Sequence, residues 1–213
     1  MSPSPERFAA IVPIRAWTAG KSRLGLDDVH RASLARAFAL DVVDVLQKSP
    51  SIDLVVVVTS DDDVRAAVGG CDIVDDPGPG LNDAVAQGCA YALARGHSRV
   101  VVVPSDLPCL TVPALAEVLR MSEGHLHAYC PDAEGDGTSL VVSHDPSSLA
   151  TSYGPGSATA HEAAGLVPLL EAPPEARREV DTLSHLRAAE ALGVGPHTSA
   201  ALAEVTARSS HRR

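Results

Sequence analysis

Three sets of residues carry side chains that could do chemistry. The first follows the apolar run Phe8-Ala-Ala-Ile-Val-Pro-Ile14, where Arg15, Lys21 and Arg23 crowd into a loop of small residues although the whole chain carries a net charge of -10. Cations gathered at the mouth of a strand suit a polyphosphate, held by side-chain charge. Gly20-Lys21-Ser22 looks like the end of a P-loop, but that motif needs a glycine where Arg15 stands, and the better helix cap comes later, at Asp27 or Asp28. The second set is acidic. Four valines, Val100–Val103, lead into Pro-Ser-Asp106, and Leu107-Pro108 then makes helical continuation unfavourable. A carboxylate there can hold magnesium, which takes hard oxygen ligands and carries phosphates. The alternative, an Asp that caps the next helix, is weakened by Thr111, the nearer cap. Asp181, in Glu179-Val-Asp-Thr182, is either a helix N-cap or a second carboxylate for the same ion, and spacing alone favours neither. The third set is Thr138 with Gly154-Pro-Gly-Ser157, where exposed backbone N–H groups form either an anion site or ordinary turns.

These residues need a frame. Apolar β-branched runs alternate with helical patterns along the chain. Strands are expected at Phe8–Ile14, Ile52–Thr59, Cys71–Val74, Arg99–Val103, Leu126–Cys130 and Ser139–Ser143, with Glu179–Asp181 as the end of another. Runs such as Leu54-Val-Val-Val-Val58 are apolar on both faces, as the strands of a covered parallel sheet must be. Helices are expected from Asp27 or Asp28 to Lys48, from Ser60 to the Gly69-Gly70 pair, over Leu81–Arg95, over Thr111–Met121 with Pro113 in its first turn, over Ala158–Ala164 and over Thr182–Leu192. Repeated strand–helix units predict a single-domain, Rossmann-like three-layer α/β/α fold with a mostly parallel sheet. Ligands of such sheets bind outside the carboxyl ends of the strands, and Arg15–Arg23, Asp75–Asn82, Pro104–Asp106 and Asp181 all follow strands, so four loops should converge on one crevice. The domain is expected to span residues 1–198, with 199–213 a C-terminal tail, disordered in part.

Bulk properties narrow the partners. The 213 residues are 45% hydrophobic and 21% charged, an ordinary globular composition. A net charge of -10 repels nucleic-acid backbones and anionic membranes, and 3% aromatic residues offer few base-stacking platforms. Cys71, Cys89, Cys109 and Cys130 have neither zinc-ligand spacing nor the density of a disulfide scaffold, which predicts reduced thiols. The N-terminus lacks the apolar core of a signal peptide and no apolar run reaches membrane-spanning length, so a cytoplasmic location is expected.

With these residues in place, the chain resembles the nucleotidyltransferases of glycosyltransferase-A type. It resembles more closely the phosphoenolpyruvate or 2-phospho-L-lactate guanylyltransferases of coenzyme F-420 biosynthesis. The resemblance rests on Ile11-Val-Pro-Ile-Arg15, Ala19-Gly-Lys-Ser-Arg-Leu24, Gly80-Leu-Asn-Asp-Ala84, Ser105-Asp-Leu-Pro108, Gly137-Thr-Ser139, Tyr153-Gly-Pro-Gly-Ser-Ala-Thr-Ala-His161, Val180-Asp-Thr182 and Leu192-Gly-Val-Gly-Pro196, in that order. It implies a fold of the nucleotide-diphospho-sugar transferase type and transfer of GMP from GTP to a phosphorylated three-carbon acid. Arg15, Lys21, Arg23, Gly80 and Asn82 would then meet GTP, with Lys21 and Arg23 acting on the departing pyrophosphate. Thr138, Gly154 and Ser157 would hold the acid, and Asp106 and Asp181 would bind Mg2+. Arg15 stands where the family commonly has lysine, Ser105 where it has glycine, and Gly156 where an acidic residue occurs. The resemblance also implies hand-off of a labile diphosphate product to a downstream transferase. Two other readings share parts of this pattern: a nucleotidyltransferase for a molybdopterin or sugar-phosphate acceptor, and a non-catalytic GTP-binding regulator.

Overall fold

The computed structural model describes residues 7–18, 24–78 and 80–210. Lys21 and Arg23 lie outside the described residues, as does Pro79. The strands are β1 (Phe8–Pro13), β2 (Ile52–Val58), β3 (Asp72–Val74), β4 (Val100–Val102), β5 (His127–Pro131), β6 (Thr138–Ser143) and β7 (Val167–Pro168). The helices are α1 (Asp28–Lys48), α2 (Asp62–Ala67), α3 (Leu81–Ala94), α4 (Val112–Met121), α5 (Ser157–Ala163), α6 (Leu183–Leu192) and α7 (Pro196–Ser210).

Among the described residues the strands form one sheet in the order β3-β2-β1-β4-β6-β5-β7. Only β6 runs against its neighbours: its pairings with β4 and β5 are antiparallel and the other pairings are parallel. The expected three-layer α/β/α architecture with a mostly parallel sheet is therefore the observed one. Its physical basis is the alternation along the valine-rich strands. Ala10, Val12, Val55, Val57, Val101 and Val103 pack on one face with residues of α1, α2 and α4. Ala9, Ile11, Val56, Val58, Val100 and Val102 pack on the other with α3 and Ala158 of α5. The α3 layer sits very close: a Cβ on Gly88 would stand 2.4 Å from Cγ2 of Ile11 and 3.1 Å from Cγ2 of Val58. Glycine is required there because backbone and sheet touch.

Helix starts follow the polar residues read from the sequence. Asp27 accepts from His30 N, Asp61 from Val64 N, Thr111 from Ala114 N and Thr182 from His185 N. Two expectations fail. Glu179–Asp181 is not strand: Glu179 N–H donates back to Arg177 O at 3.2 Å, Val180 N–H donates to the carbonyl of Asp106 at 3.1 Å, and the chain bends at Asp181. One hydrogen bond to the neighbouring loop cannot build a ladder, so the segment stays outside the sheet. The tail boundary at residue 198 also fails, because it falls inside α7. That helix is anchored to α1 by Asp41, buried to 3% exposure, whose two carboxylate oxygens accept from His197 N and Thr198 N at 2.9 Å each. Gly195 precedes it where any Cβ would lie 2.3 Å from the Asp41 carboxylate carbon. The alanine-rich composition read as loose chain is a helix given its stability by a cap 157 residues away. A third, smaller core of Leu34, Phe38, Cys109, Val180, Leu186, Ala189 and Ala201 joins α1, α6 and α7.

Candidate active site

Chain order makes the crevice. After β1 the chain builds β2 and β3 on one side, then crosses to place β4 on the other, so the loops leaving β1 and β4 diverge. The resulting cavity, about 320 Å³, is lined by Pro13–Trp17 after β1, Asp76, Gly80 and Leu81 at the start of α3, Pro104–Asp106 after β4, and Asp181. An adjoining hollow of about 550 Å³ shares Ile14, Arg15, Ala16 and Asp76 and extends past Thr59–Asp61 and Pro77-Gly78, at the ends of β2 and β3. Four loops were expected to meet, and residues from all four line one crevice: Arg15, Gly80, Asp106 and Asp181.

Asp106 is placed by the buried valines of β4 and does not cap a helix, since Thr111 fills that role. Asp181 is likewise not a cap, because Thr182 Oγ1 accepts from His185 N at 3.2 Å. The open choice at Asp181 thus closes against capping. Its position comes from Val180, fully buried in the third core and tied by its N–H to the Asp106 carbonyl. Val180 turns inward, and its two neighbours reach the same point as Asp106: oxygens of Asp106, Glu179 and Asp181 lie within 4.8 Å of one another, each side chain half-buried. Sequence reasoning missed Glu179. Its place two residues before Asp181 does not by itself fix which way either side chain points. Three carboxylates so close repel unless cations balance them, and an all-oxygen donor set of this charge fits a hard divalent ion.

Arg177, also unread in the sequence, positions this segment. Its guanidinium donates to the carbonyls of Pro131 at 3.0 Å, Leu170 at 3.1 Å and Asp132 at 2.9 Å. A planar fork with five donors can gather three separate carbonyls where a lysine could not. Arg178 adds an ion pair to Glu134 at 2.6 Å, fastening the β5–β6 hairpin to the same strip.

Thr138, Gly154 and Ser157 are not among the residues that line these two cavities; they stand on β6 and in the turn into α5. Because β6 is antiparallel, its first residue lies at the carboxyl edge of the parallel strands: Val102 pairs with Val141, and the register runs on toward Ser105 and Thr138. Thr138 is buried and its Oγ1 lies 2.9 Å from Nδ1 of His161. Gly137 before it has no room for a side chain, since a Cβ would meet Asp132 Oδ2 at 2.4 Å. Gly154 and Gly156 take φ of 143° and 72°, left-handed values that turn the loop into α5, where Ser157 is buried. Asn82 ties the start of α3 to the loop before α5. Its amide oxygen accepts from Tyr153 N at 2.8 Å and its amide nitrogen donates to Tyr153 O at 3.2 Å. The side chain expected beside the nucleotide is therefore engaged with the loop that carries Gly154. Tyr153 packs edge-on against His161, and burial pushes its phenol well above the usual range, with the Glu179 charge adding to this. The ring is half-exposed, but its hydroxyl is shielded and finds no hydrogen-bond partner among the described residues. Thiol chemistry is disfavoured, since burial pushes Cys89 and Cys130 up to about 12 and Cys109 to about 11.

Comparison with known proteins decides the family. The family described as "Guanylyl transferase CofC like" matches residues 8–165. A phosphoenolpyruvate guanylyltransferase of Streptomyces coelicolor is 41% identical over 208 residues, covering 93% of this chain and 97% of the relative. The chain belongs to the CofC-like guanylyl transferases. A second phosphoenolpyruvate guanylyltransferase, from Geodermatophilus obscurus, is 39% identical, covering 92% of this chain and 94% of its own length. In fold, this guanylyl transferase is similar to a chain of Desulfovibrio desulfuricans G20 assigned as a nucleotide-diphospho-sugar transferase, with a TM-score of 0.62 at 17% identity, covering 88% of this chain and 96% of that one. The fold is thus of the nucleotide-diphospho-sugar transferase type, and the chain is a nucleotidyltransferase. No helix among its described residues is long and apolar enough to cross a membrane.

Proposed function

We propose that this guanylyl transferase moves GMP from GTP to the phosphate of phosphoenolpyruvate, releasing pyrophosphate, as a cytoplasmic step of coenzyme F-420 biosynthesis. The observation that carries the reading is the carboxylate cluster of Asp106, Glu179 and Asp181, two of which line the crevice that also holds Arg15 and Gly80. The wall after β1, with Arg15 and Gly80 and with Lys21 and Arg23 in the same loop, suits the triphosphate and its leaving pyrophosphate. The group of Thr138, Gly154 and Ser157, with buried hydroxyls at the sheet edge, suits a small acid. The acceptor named here follows from what the curated relatives are called.

An acid phosphate oxygen attacks the α-phosphorus of GTP, a new P–O bond forms, and the bond to the bridging oxygen of pyrophosphate breaks. The attacking phosphate is already ionised at neutral pH, so no general base is needed, and the protein's work is to position two anions and offset their charge. Asp106, Glu179 and Asp181 would hold Mg2+, which supplies neutralisation of phosphate oxygens. The bond between Val180 N and the Asp106 carbonyl keeps these carboxylates at fixed separation, and Asn82 ties the start of α3 to the loop that carries Gly154. The product is a reactive phosphoanhydride, which favours hand-off to a downstream transferase.

The test is pyrophosphate release from GTP and MgCl2 with phosphoenolpyruvate, 2-phospho-L-lactate, 3-phosphoglycerate or no acid. Release that requires phosphoenolpyruvate and vanishes in Asp106→Asn is expected. Release with 2-phospho-L-lactate alone would reassign the acceptor, and none with any acid would overturn guanylyl transfer to this class.

A further inference from the structure

One buried titratable side chain stands outside the chemistry above. His161 lies on α5, one turn beyond Ser157, with 0% exposure. Helix α5 buries Ser157, Ala158 and His161 and exposes Glu162 and Ala163, so two of the three residues it turns inward are polar. A helix that buries polar side chains is holding something specific, since each must be satisfied.

The hydrogen bonds of His161 have a fixed direction. Ser152 N donates to Nε2 at 2.8 Å, and a backbone N–H can only donate, so Nε2 carries no proton. The neutral ring then has its proton on Nδ1, which points at Thr138 Oγ1 at 2.9 Å, and the threonine oxygen is the acceptor. Imidazolium would set two donors against each other at Nε2, and burial lowers the ring's proton affinity as well. Tyr129 and Tyr153 flank the ring at 5.7 and 5.4 Å between centroids, the second edge-on at 81°, which holds its plane.

With its oxygen already accepting, Thr138 has its own O–H left, and His161 is its only side-chain hydrogen-bond partner among the described residues. We infer that His161 is the positioning residue of the acid site: by donating to Thr138 Oγ1 it directs the Thr138 O–H away from the ring, toward an oxyanion of the acceptor, and it latches the Ser152–Tyr153 loop that carries Gly154 to Ser157. The relay runs one way, from Ser152 N–H through the imidazole to the Thr138 hydroxyl. An O–H held in that direction suits an acceptor, and most strongly an anionic carboxylate or phosphate oxygen, whose hydrogen bonds are the stronger ones. The loop is gripped from both sides, by His161 at Ser152 and by Asn82 at Tyr153. The inference rests on the reading that Thr138 faces the acceptor acid.

Two substitutions separate the two bonds. His161→Gln can place its amide oxygen where Nε2 stood and keep the loop bond while losing the bond to Thr138; His161→Asn does the reverse. Steady-state kinetics on the full chain with MgCl2 should show His161→Gln raising KM for phosphoenolpyruvate about tenfold, the scale of one hydrogen bond lost from an anion site, with KM for GTP within about twofold. In a Thr138→Val background, His161→Gln should raise KM for phosphoenolpyruvate no further. Additive effects, or equal rises in both KM values, would show a merely structural histidine and overturn the inference. If Thr138→Val leaves KM for phosphoenolpyruvate unchanged, the acid-site reading itself fails and this one falls with it. Should a variant not fold, the unaltered protein still decides: long-range 1H–15N spectra at pH 7 should give a neutral ring protonated at Nδ1, and an Nε2-protonated ring or an imidazolium would sink the relay.

Discussion

Replacing Asp41 with alanine should unseat the C-terminal helix. The Asp41 carboxylate is buried between α1 and α7, and each of its oxygens accepts one backbone N–H of the first turn of α7, at 2.9 Å. A hydrogen bond to a charged group contributes about 1.5–3 kcal/mol, so two set an upper figure of about 3–6 kcal/mol. Water can reach amides at a helix end once the carboxylate is gone, which recovers about half and leaves a loss of about 1.5–3 kcal/mol. With an unfolding entropy of about 2.1 cal/mol/K per residue over 213 residues, each kcal/mol moves Tm by about 2.2 °C, so Asp41→Ala should melt about 3–7 °C lower. The assay is a thermal melt followed by far-UV circular dichroism. Asp44→Ala is the control: it stands three residues on in the same helix, pairs with Lys48 at 2.8 Å and with Nε2 of His197 at a longer 3.8 Å, and such surface pairs contribute about 0.3–0.5 kcal/mol each. Equal shifts for the two variants would refute the reasoning, because the capping geometry would then count for nothing beyond surface charge. A chain ended after residue 198 should melt lower still, since it also loses Ala201 from the third core.

Glu179→Gln, like Asp106→Asn, should lower kcat by at least about a hundredfold at saturating magnesium, on the scale of lost transition-state charge stabilisation, while Tm changes little; a Glu179→Gln loss below threefold would remove Glu179 from the metal set. Gly88→Ala should destabilise despite the better helix propensity of alanine, because the Cβ meets Ile11 at 2.4 Å: overpacking costs about 1–3 kcal/mol against about 1 kcal/mol gained, and an unchanged or raised urea midpoint would contradict the close packing of α3. The pH dependence has a definite sign. Burial is the first cause that holds His127, His144 and His161 below their usual value of 6.5, so the unfolded chain takes up protons near that pH before the folded one does. Stability should therefore be full above about pH 7 and fall progressively from pH 6.5 to 5, seen as a falling urea midpoint; a midpoint constant across that range would show that these rings titrate alike in both states.

Much of the frame was legible in the sequence because its signals are local. Strands β1, β2 and β4 announce themselves as runs of apolar β-branched residues, since a strand covered on both faces has no polar alternation to keep. Caps at Asp27, Thr111 and Thr182 need only the three residues that follow them. Asp106 could be placed at a sheet edge because a valine run before it and Leu107-Pro108 after it leave the backbone no other course. The family was legible too, through a resemblance that the family match upholds. What sequence could not decide is what depends on contacts between distant residues. Whether Asp181 caps a helix or faces Asp106 was balanced until Val180 N–H met the Asp106 carbonyl, a bond that ties the segment to the loop after β4, where Glu179 reaches the same point. Nothing near Ala200 announces a docked helix, because its cap is Asp41 on α1. His161 reads as one more core histidine until Ser152 and Thr138 close on its two nitrogens and give the ring a direction. Local chemistry determined which elements form and which residues stand at their ends; only the packing of those ends against one another decided which side chains share a site.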